Sequence, residues 1–376
     1  MREVLIVGAG KIGSVIADFL SASGDYRVTV ADRDAALLER VALELPQVRA
    51  LELDATNDDA LRAALEGRFA LINACPFDMS EILARAAVDA AAHYLDLTED
   101  VSSARLIRSL AADARTALIP QCGLAPGFIS IAAYHLATGF DTLHNVHMRV
   151  GALPKFPSNA LKYNLTWSTD GLINEYLNPC EAIVNGELKE MPALEELEHF
   201  SLDGDDYEAF NTSGGLGTLC DTLKGRVMNL NYRTVRYQGH RDVMKLLLND
   251  LRLGERRALL KDILEAAIPI TMQDVVLVFV SVSGMRGGQL MQESFARKIY
   301  SNTVNGTLRS AIQITTASAL CAALDLLVAG KLPQRGFVRH EDIGFADFID
   351  NRFGSNFMTD GKEPHSAATG GIRQVR

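Results

Sequence analysis

Over roughly the first third of the chain, short apolar runs alternate with stretches of helical spacing. Glu3–Val7, Arg27–Ala31, Val48–Leu53, Phe69–Ala74, His93–Leu97 and Ala117–Pro120 are brief and rich in β-formers, as buried strands are. Between them, Ile12–Leu20, Ala35–Leu45, Asp58–Glu66, Ser80–Ala91 and Ser102–Arg115 repeat apolar residues every three or four positions, the period of an amphipathic helix. Thr56 or Asn57 is placed to cap the third of these helices. The repeated strand–helix unit predicts an α/β fold, a doubly wound parallel sheet of the Rossmann type.

The pattern changes after Gly127. Asn145–Val150, Tyr232–Tyr237, Val275–Ser283 and Leu290–Ile299 alternate as strands do, divided by long polar stretches such as Glu195–Glu208. This predicts a second, α+β domain with a mostly antiparallel sheet. Ser283-Gly284-Met285-Arg286-Gly287-Gly288 reads as the hairpin loop between its two longest strands. Ser310–Ala329 reads as a long helix stopped by Gly330 and Pro333, returning to pack on the first sheet. The expected layout is a dinucleotide-type domain at 1–123 completed by 309–354, a second domain at 124–308, and a flexible tail at 355–376 rich in small polar residues.

At 376 residues, two domains are expected. A formal net charge of −10 gives no electrostatic footprint for nucleic acid or an anionic membrane, so neither is expected as a partner. Five widely spaced cysteines without a CxxC pair argue against a disulfide framework or structural zinc, and fit reduced thiols in a cytoplasm. The first apolar run has no basic lead and reads as a strand, not a signal peptide. Ala311–Val328 is apolar but interrupted by Gln313, threonines and Asp325, so a buried helix is expected there.

The strongest chemical motif is Gly8-Ala9-Gly10-Lys11-Ile12-Gly13, placed between a buried strand and a helix. There Gly8 permits a tight turn, Gly10 lets backbone approach a pyrophosphate, and Gly13 allows close helix–strand packing. Lys11 and Ile12 lie at the positive helix start, where phosphates bind. Asp32 ends the second strand, 19 residues after Gly13. A carboxylate there accepts from both ribose hydroxyls and repels a 2′-phosphate, so the expected cofactor is NAD, with Arg33 leaving NADP as the lesser alternative. Asp54 either meets the adenine edge or caps its own turn. Asn73, Ala74 and Cys75 end the fourth strand near the nicotinamide ribose, and Asp96, Glu99 and Cys122 follow later strands toward the same crevice.

Four segments go further: Gly123-Leu124-Ala125-Pro126-Gly127-Phe128, Tyr163 to Gly171, Phe210-Asn211-Thr212-Ser213-Gly214-Gly215, and Arg233 to His240. With the glycine turn they make the chain resemble the saccharopine dehydrogenase superfamily over nearly its whole length, most of all the bacterial lysine 6-dehydrogenase branch. The saccharopine-acting members carry an acidic residue where Ala125 stands here. The resemblance implies oxidation at a carbon bearing nitrogen, with L-lysine plus NAD and water giving the aldehyde, ammonia and NADH. Glutamate-forming saccharopine dehydrogenase is the alternative, with Lys155, Lys162, Arg233 and Lys245 as cations for its extra carboxylates. A non-catalytic NAD-binding module is a third reading.

Under that reading the site needs a base, a carboxylate anchor, an ammonium anchor and a placed water. His240 is the first candidate base, with Asp96 and Glu99 as alternatives. Arg236 is the carboxylate anchor. Asp170 and Glu175 are candidates for an ammonium, although Asp170 serves equally as a helix cap. Tyr163 and Thr166 are candidates to order water, and Asn211, Thr212 and Ser213 to approach the ligand beside two glycines. No metal is expected. A homodimer through the second sheet is expected from the resemblance and from the apolar run Val275–Val282.

Overall fold

The computed structural model describes residues 1–165 and 167–358. The early apolar runs form β1 (Arg2–Val7), β2 (Tyr26–Asp32), β3 (Arg49–Glu52), β4 (Ala70–Asn73), β5 (His93–Asp96) and β6 (Ala117–Ile119). The distant strand Gly336–Phe337 adds beside β6. The sheet runs Gly336–Phe337, β6, β5, β4, β1, β2, β3, and every pairing among the described residues is parallel. The chain leaves β1 toward β2 and β3, then returns to lay β4 on the other side of β1. That reversal makes the carboxyl ends of β1 and β4 the switch point where α/β sheets bind ligands.

The second sheet is mixed. Its strands are β7 (Thr142–Pro154), β8 (Cys180–Val184), β9 (Glu187–Met191), β10 (Glu198–Leu202), β11 (Asp205–Asn211), β12 (Val227–Tyr237), β13 (Asp274–Arg286) and β14 (Gln289–Tyr300). They run β10-β11-β12-β7-β13-β14, with β8 and β9 branching from β12. β7 and β12 pair in parallel, and the remaining pairings described are antiparallel.

Three expectations change. Glu195–Glu208 is not a plain polar divider: β10 and the start of β11 form a hairpin there, with Tyr207 and Glu208 buried and the Glu208 carboxylate accepting from the N–H groups of Gly239 and Arg241. The loop between the longest strands is only Gly287-Gly288, because pairing continues to Arg286 and Gln289. Both glycines have positive φ, +58° and +79°, as a two-residue hairpin turn of matching twist requires. The expected tail starts too early. Gly354–Phe357 is a helical turn, and Phe357 is fully buried with its ring 3.9 Å from that of Phe128; the remainder from 359 lies outside the described residues.

Val275–Val282 is consumed within one chain. Val276, Val278, Val280 and Val282 enter the main core, while Val275 and Leu277 pack with Leu153, Tyr207 and Val235 on the opposite face. Its apolar character therefore needs no second subunit to cover it. The helix Ala311–Val328 starts with a capping box between Ser310 and Gln313, and Asp274 accepts from the backbone N–H groups of Ala311 (2.5 Å) and Ile312 (3.0 Å). It is long and apolar enough to cross a membrane by composition alone, yet 78% of it is buried inside the protein against the first domain.

Candidate active site

The glycine turn is held by close contacts. A Cβ on Gly8, whose φ is +110°, would lie 2.7 Å from the Ala74 carbonyl oxygen, and one on Gly13 would lie 1.9 Å from that of Gly8. Neither fits. A Cβ on Gly10 meets nothing within 4 Å. The helix Gly13–Ala22 starts at Ile12 with no side chain capping it. Backbone that turns tightly, opens space at Gly10 and presents an uncapped helix start fits a pyrophosphate. Asp32 accepts from the backbone N–H of Ala9 (2.7 Å) and of Asp34 (3.0 Å), which fixes its carboxylate at the end of β2. Arg33 is exposed beside it. Asp54 is bound by the Thr56 N–H (3.0 Å) and hydroxyl (2.7 Å), bonds that lower its pKa; it serves its own turn.

Several strand-end residues brace loops instead of facing a ligand. Asn73 accepts from the Cys75 N–H (2.9 Å) and donates to the Tyr94 hydroxyl (3.1 Å). Asp96 is 1% exposed and accepts from Tyr94, Thr98 and Gln121. Burial raises it to about 6, yet its bonds tie β5 to the following loops and it does not line the cleft. Cys122 is buried, donates to the Ile119 carbonyl (3.0 Å) and is held protonated by burial. Ala74 and Cys75 do line the cleft, with the Cys75 thiol pushed up to about 12 by burial first and by Asp32 second.

The cleft has a volume of about 410 Å³ and lies between the two sheets. Gly10, Lys11, Ile12, Ala74 and Cys75 form its cofactor side; Glu99, Trp167, Asp170, Glu175, Thr234 and Arg236 form the other. Burial lifts Glu99 to about 7, helped by Asp100, Asp96 and Asp170. Its Oε1 is buried and has no hydrogen-bond partner among the described residues. Glu175, 6% exposed, is raised well above its usual range by burial and then by the charge of Glu99, against the pull of Arg236. Two neighbouring carboxyl groups that are both poorly solvated resist ionising together. Arg236 is 3% exposed on β12; its Nε donates to the Tyr176 hydroxyl (3.0 Å), its Nη1 to the Val235 carbonyl (2.9 Å), and its guanidinium stacks 5.0 Å from the Tyr163 ring centre.

His240 lies outside the cleft. It is fully buried, its Nδ1 is 2.8 Å from the Leu161 carbonyl, and its Nε2 is 3.1 Å from the Tyr176 hydroxyl. Burial and then Arg236 push it down to about 3. With both nitrogens engaged and no route to a ligand, it is not placed to take a substrate proton. Tyr163 is 2% exposed, and its hydroxyl accepts from Trp167 Nε1 (3.0 Å), so it forms the floor under Arg236 instead of holding water at the surface.

Asp170 lines the cleft but is paired with Lys261 at 2.6 Å, and the helix Thr169–Leu177 is capped by Ser168, which accepts from the Gly171 N–H (3.1 Å). Asn211 reaches the Pro192 carbonyl (3.5 Å), Thr212 bonds Thr234 (2.7 Å) and the Ser213 N–H donates to the Glu175 carbonyl (3.0 Å). None of the three lines the cleft. The glycines beside them do approach closely, but to protein: a Cβ on Gly214 (φ +87°) would lie 2.2 Å from the Glu99 carbonyl oxygen. Thr166 lies outside the described residues.

Two family models match. The saccharopine dehydrogenase NADP binding domain covers residues 4–119, and the saccharopine dehydrogenase C-terminal domain covers 123–353. The chain belongs to the saccharopine dehydrogenase family. Similar proteins include the NADP-dependent, L-glutamate-forming saccharopine dehydrogenase of Saccharomyces cerevisiae, 24% identical over 50% of this chain and 43% of that protein. Carboxyaminopropylagmatine dehydrogenase of Synechocystis is 27% identical over 54% and 53%. The chain spans about half the length of the curated relatives it matches, or less. The solved apo structure of the yeast saccharopine dehydrogenase superimposes with a TM-score of 0.76 at 17% identity, covering 93% of this chain and 97% of that one, and so has the same fold.

Within this saccharopine dehydrogenase fold, sequence reasoning missed Tyr176 and Lys261 as site neighbours. Tyr176 carries a usable signal: it follows Glu175 on an apolar helix, and a buried phenol needs a partner for its hydroxyl. Lys261 carries none, since it stands 91 positions from Asp170.

Proposed function

We propose that this member of the family is an NAD-dependent dehydrogenase of an amino acid that bears one carboxylate and a distal amine, with L-lysine oxidised at C6 as the leading case. The observation that carries this reading is the charge pattern of the cleft. Buried Arg236 is the one arginine of the cleft lining; it shares the cleft with the carboxyl groups of Glu99 and Glu175, while Lys11 stands on the cofactor side. Saccharopine brings further carboxylates, which need further cations. The cations that would serve lie away from the cleft lining: Lys162 donates to the Gln238 carbonyl, Arg233 pairs with Glu196 and Glu198, Lys245 pairs with Glu195, and Lys155 sits over Phe156 and Tyr300. The glutamate-forming alternative has the names of the curated relatives in its favour and this charge pattern against it.

Glu99 takes the proton. An amine must be neutral before hydride can leave its carbon, and a carboxylate titrating near 7 with an unpartnered buried oxygen is suited to hold that proton at physiological pH. Arg236 binds the α-carboxylate, fixing the chain so that its far carbon reaches the cofactor side. Glu175 faces the α-ammonium. Gly8, Gly10, Lys11, Ile12 and Asp32 would hold the dinucleotide, which would supply the hydride acceptor when bound. The imine takes up water, and the products are aldehyde, ammonium, NADH and one proton. Asp32, fixed on backbone N–H groups, supports NAD over NADP. Formation of reduced cofactor with L-lysine, with stoichiometric ammonia, tests the reading; signal with saccharopine alone would reverse it.

A further inference from the structure

We infer that Tyr176 and His240 are positioning residues that aim Arg236, and that through it they make the substrate's α-carboxylate the feature by which this cleft selects amino acids over diamines. The inference rests on the proposed amino-acid reading. Its basis is a chain of hydrogen bonds whose direction is fixed at every link. The Leu161 carbonyl only accepts, so His240 Nδ1, 2.8 Å away, carries the ring proton. Nε2 is then a bare lone pair, and the Tyr176 hydroxyl, 3.1 Å away, donates to it. That leaves the phenol oxygen to accept from Arg236 Nε at 3.0 Å. Arg236 is further fixed by its bond to the Val235 carbonyl and by the Tyr163 ring.

The three side chains of this chain, Arg236, Tyr176 and His240, are at most 3% exposed, and among them Arg236 alone lines the cleft. A buried polar chain of this kind needs a reason, because an apolar wall would pack as well. Holding a guanidinium in one orientation is such a reason. A planar fork binds a carboxylate well only when its plane is preset, and a diamine such as cadaverine, which is lysine without its carboxylate, gains nothing from it. The Phe210 ring, nearly parallel to the imidazole with centres 6.3 Å apart, and the Tyr163 ring, edge-on with centres 5.4 Å apart, hold the imidazole plane in turn.

The test is calorimetric binding of L-lysine and of cadaverine to the NADH-saturated protein, in which no turnover occurs. Tyr176→Phe should weaken lysine binding about ten- to hundredfold, the worth of a hydrogen bond to a charged group, and leave cadaverine binding within about twofold. His240→Ala should do the same, and His240→Gln, which keeps an acceptor for Tyr176, should restore part of the lysine affinity. Nitrogen NMR of the unmutated protein at neutral pH should find the His240 proton on Nδ1. Equal losses for both ligands, an unchanged lysine affinity in Tyr176→Phe, or a proton on Nε2 would overturn the relay while leaving the amino-acid reading intact. If the unmutated protein binds lysine no better than cadaverine, the amino-acid reading falls and the relay's selective role with it.

Discussion

The two walls of the cleft are built in different ways. The cofactor wall is mostly backbone: Gly8, Gly10 and Gly13 stand within six residues, Gly8 and Gly13 pressed against the chain around them and Gly10 facing open space. The substrate wall is side chains brought from distant places: Glu99 after β5, Glu175 on a helix of the second domain, Arg236 on β12. A local wall is tolerant of everything except a Cβ in the wrong place. An assembled wall depends on buried charge, and each of its members is sensitive to the loss of another.

The largest effect that would break this contrast is at Glu99. Glu99→Gln keeps the shape and removes the proposed proton acceptor; turnover is expected to fall about 10²- to 10⁴-fold. Steady-state rates across pH check it further: in the unmutated protein the rate should rise through about pH 7 as Glu99 ionises, and the variant should lose that limb. Next comes Arg236→Met, which should raise KM for the amino acid by about 30-fold to a few thousand-fold, since truncating a buried charged partner costs about 2–5 kcal/mol; a KM within a few-fold would remove Arg236 from the site.

Two glycine substitutions sharpen the other side. Gly13→Ala should both destabilise the protein and abolish cofactor binding, because its Cβ collides with the Gly8 carbonyl. Gly10→Ala should leave thermal stability within about 0.5 kcal/mol, as at unstrained surface sites, and still weaken NAD binding; calorimetric unfolding and cofactor titration separate the two. If both lose stability equally, the turn is held together by more than local fit. The smallest effect is on stability against pH. Glu99 has its pKa raised on folding, so the protonated form is favoured, and stability present at low pH is lost as pH rises from about 4.5 through about 7. Thermal unfolding across that window should decline less in Glu99→Gln.

The same contrast explains what could be read in the sequence. The doubly wound sheet, the turn at Gly8 and the carboxylate at Asp32 follow from period, spacing and glycine position, all local properties. His240 misleads for the opposite reason. Its family segment and pKa range suggest a base, but its fate is set by the Leu161 carbonyl and the Tyr176 hydroxyl, 79 and 64 positions away. Asp96 and Glu99 are equivalent as acids at a strand end; only the three donors around Asp96 and the lack of any at Glu99 Oε1 tell them apart. β10 and β11 were hidden because β10 is polar and half-exposed, and β11 buries the polar Glu208 and Asn211 beside its apolar residues, so neither alternates clearly in hydrophobicity.

Gly214 has one more consequence. It belongs to the second domain, yet its α-carbon presses on the backbone of the first at Glu99, so closely that no side chain fits between. The carboxyl group proposed to take the substrate's proton is thus carried by one half of the protein and seated by the other. The placement of Glu99 in the cleft and the contact between the two domains therefore rest on the same pair of backbones.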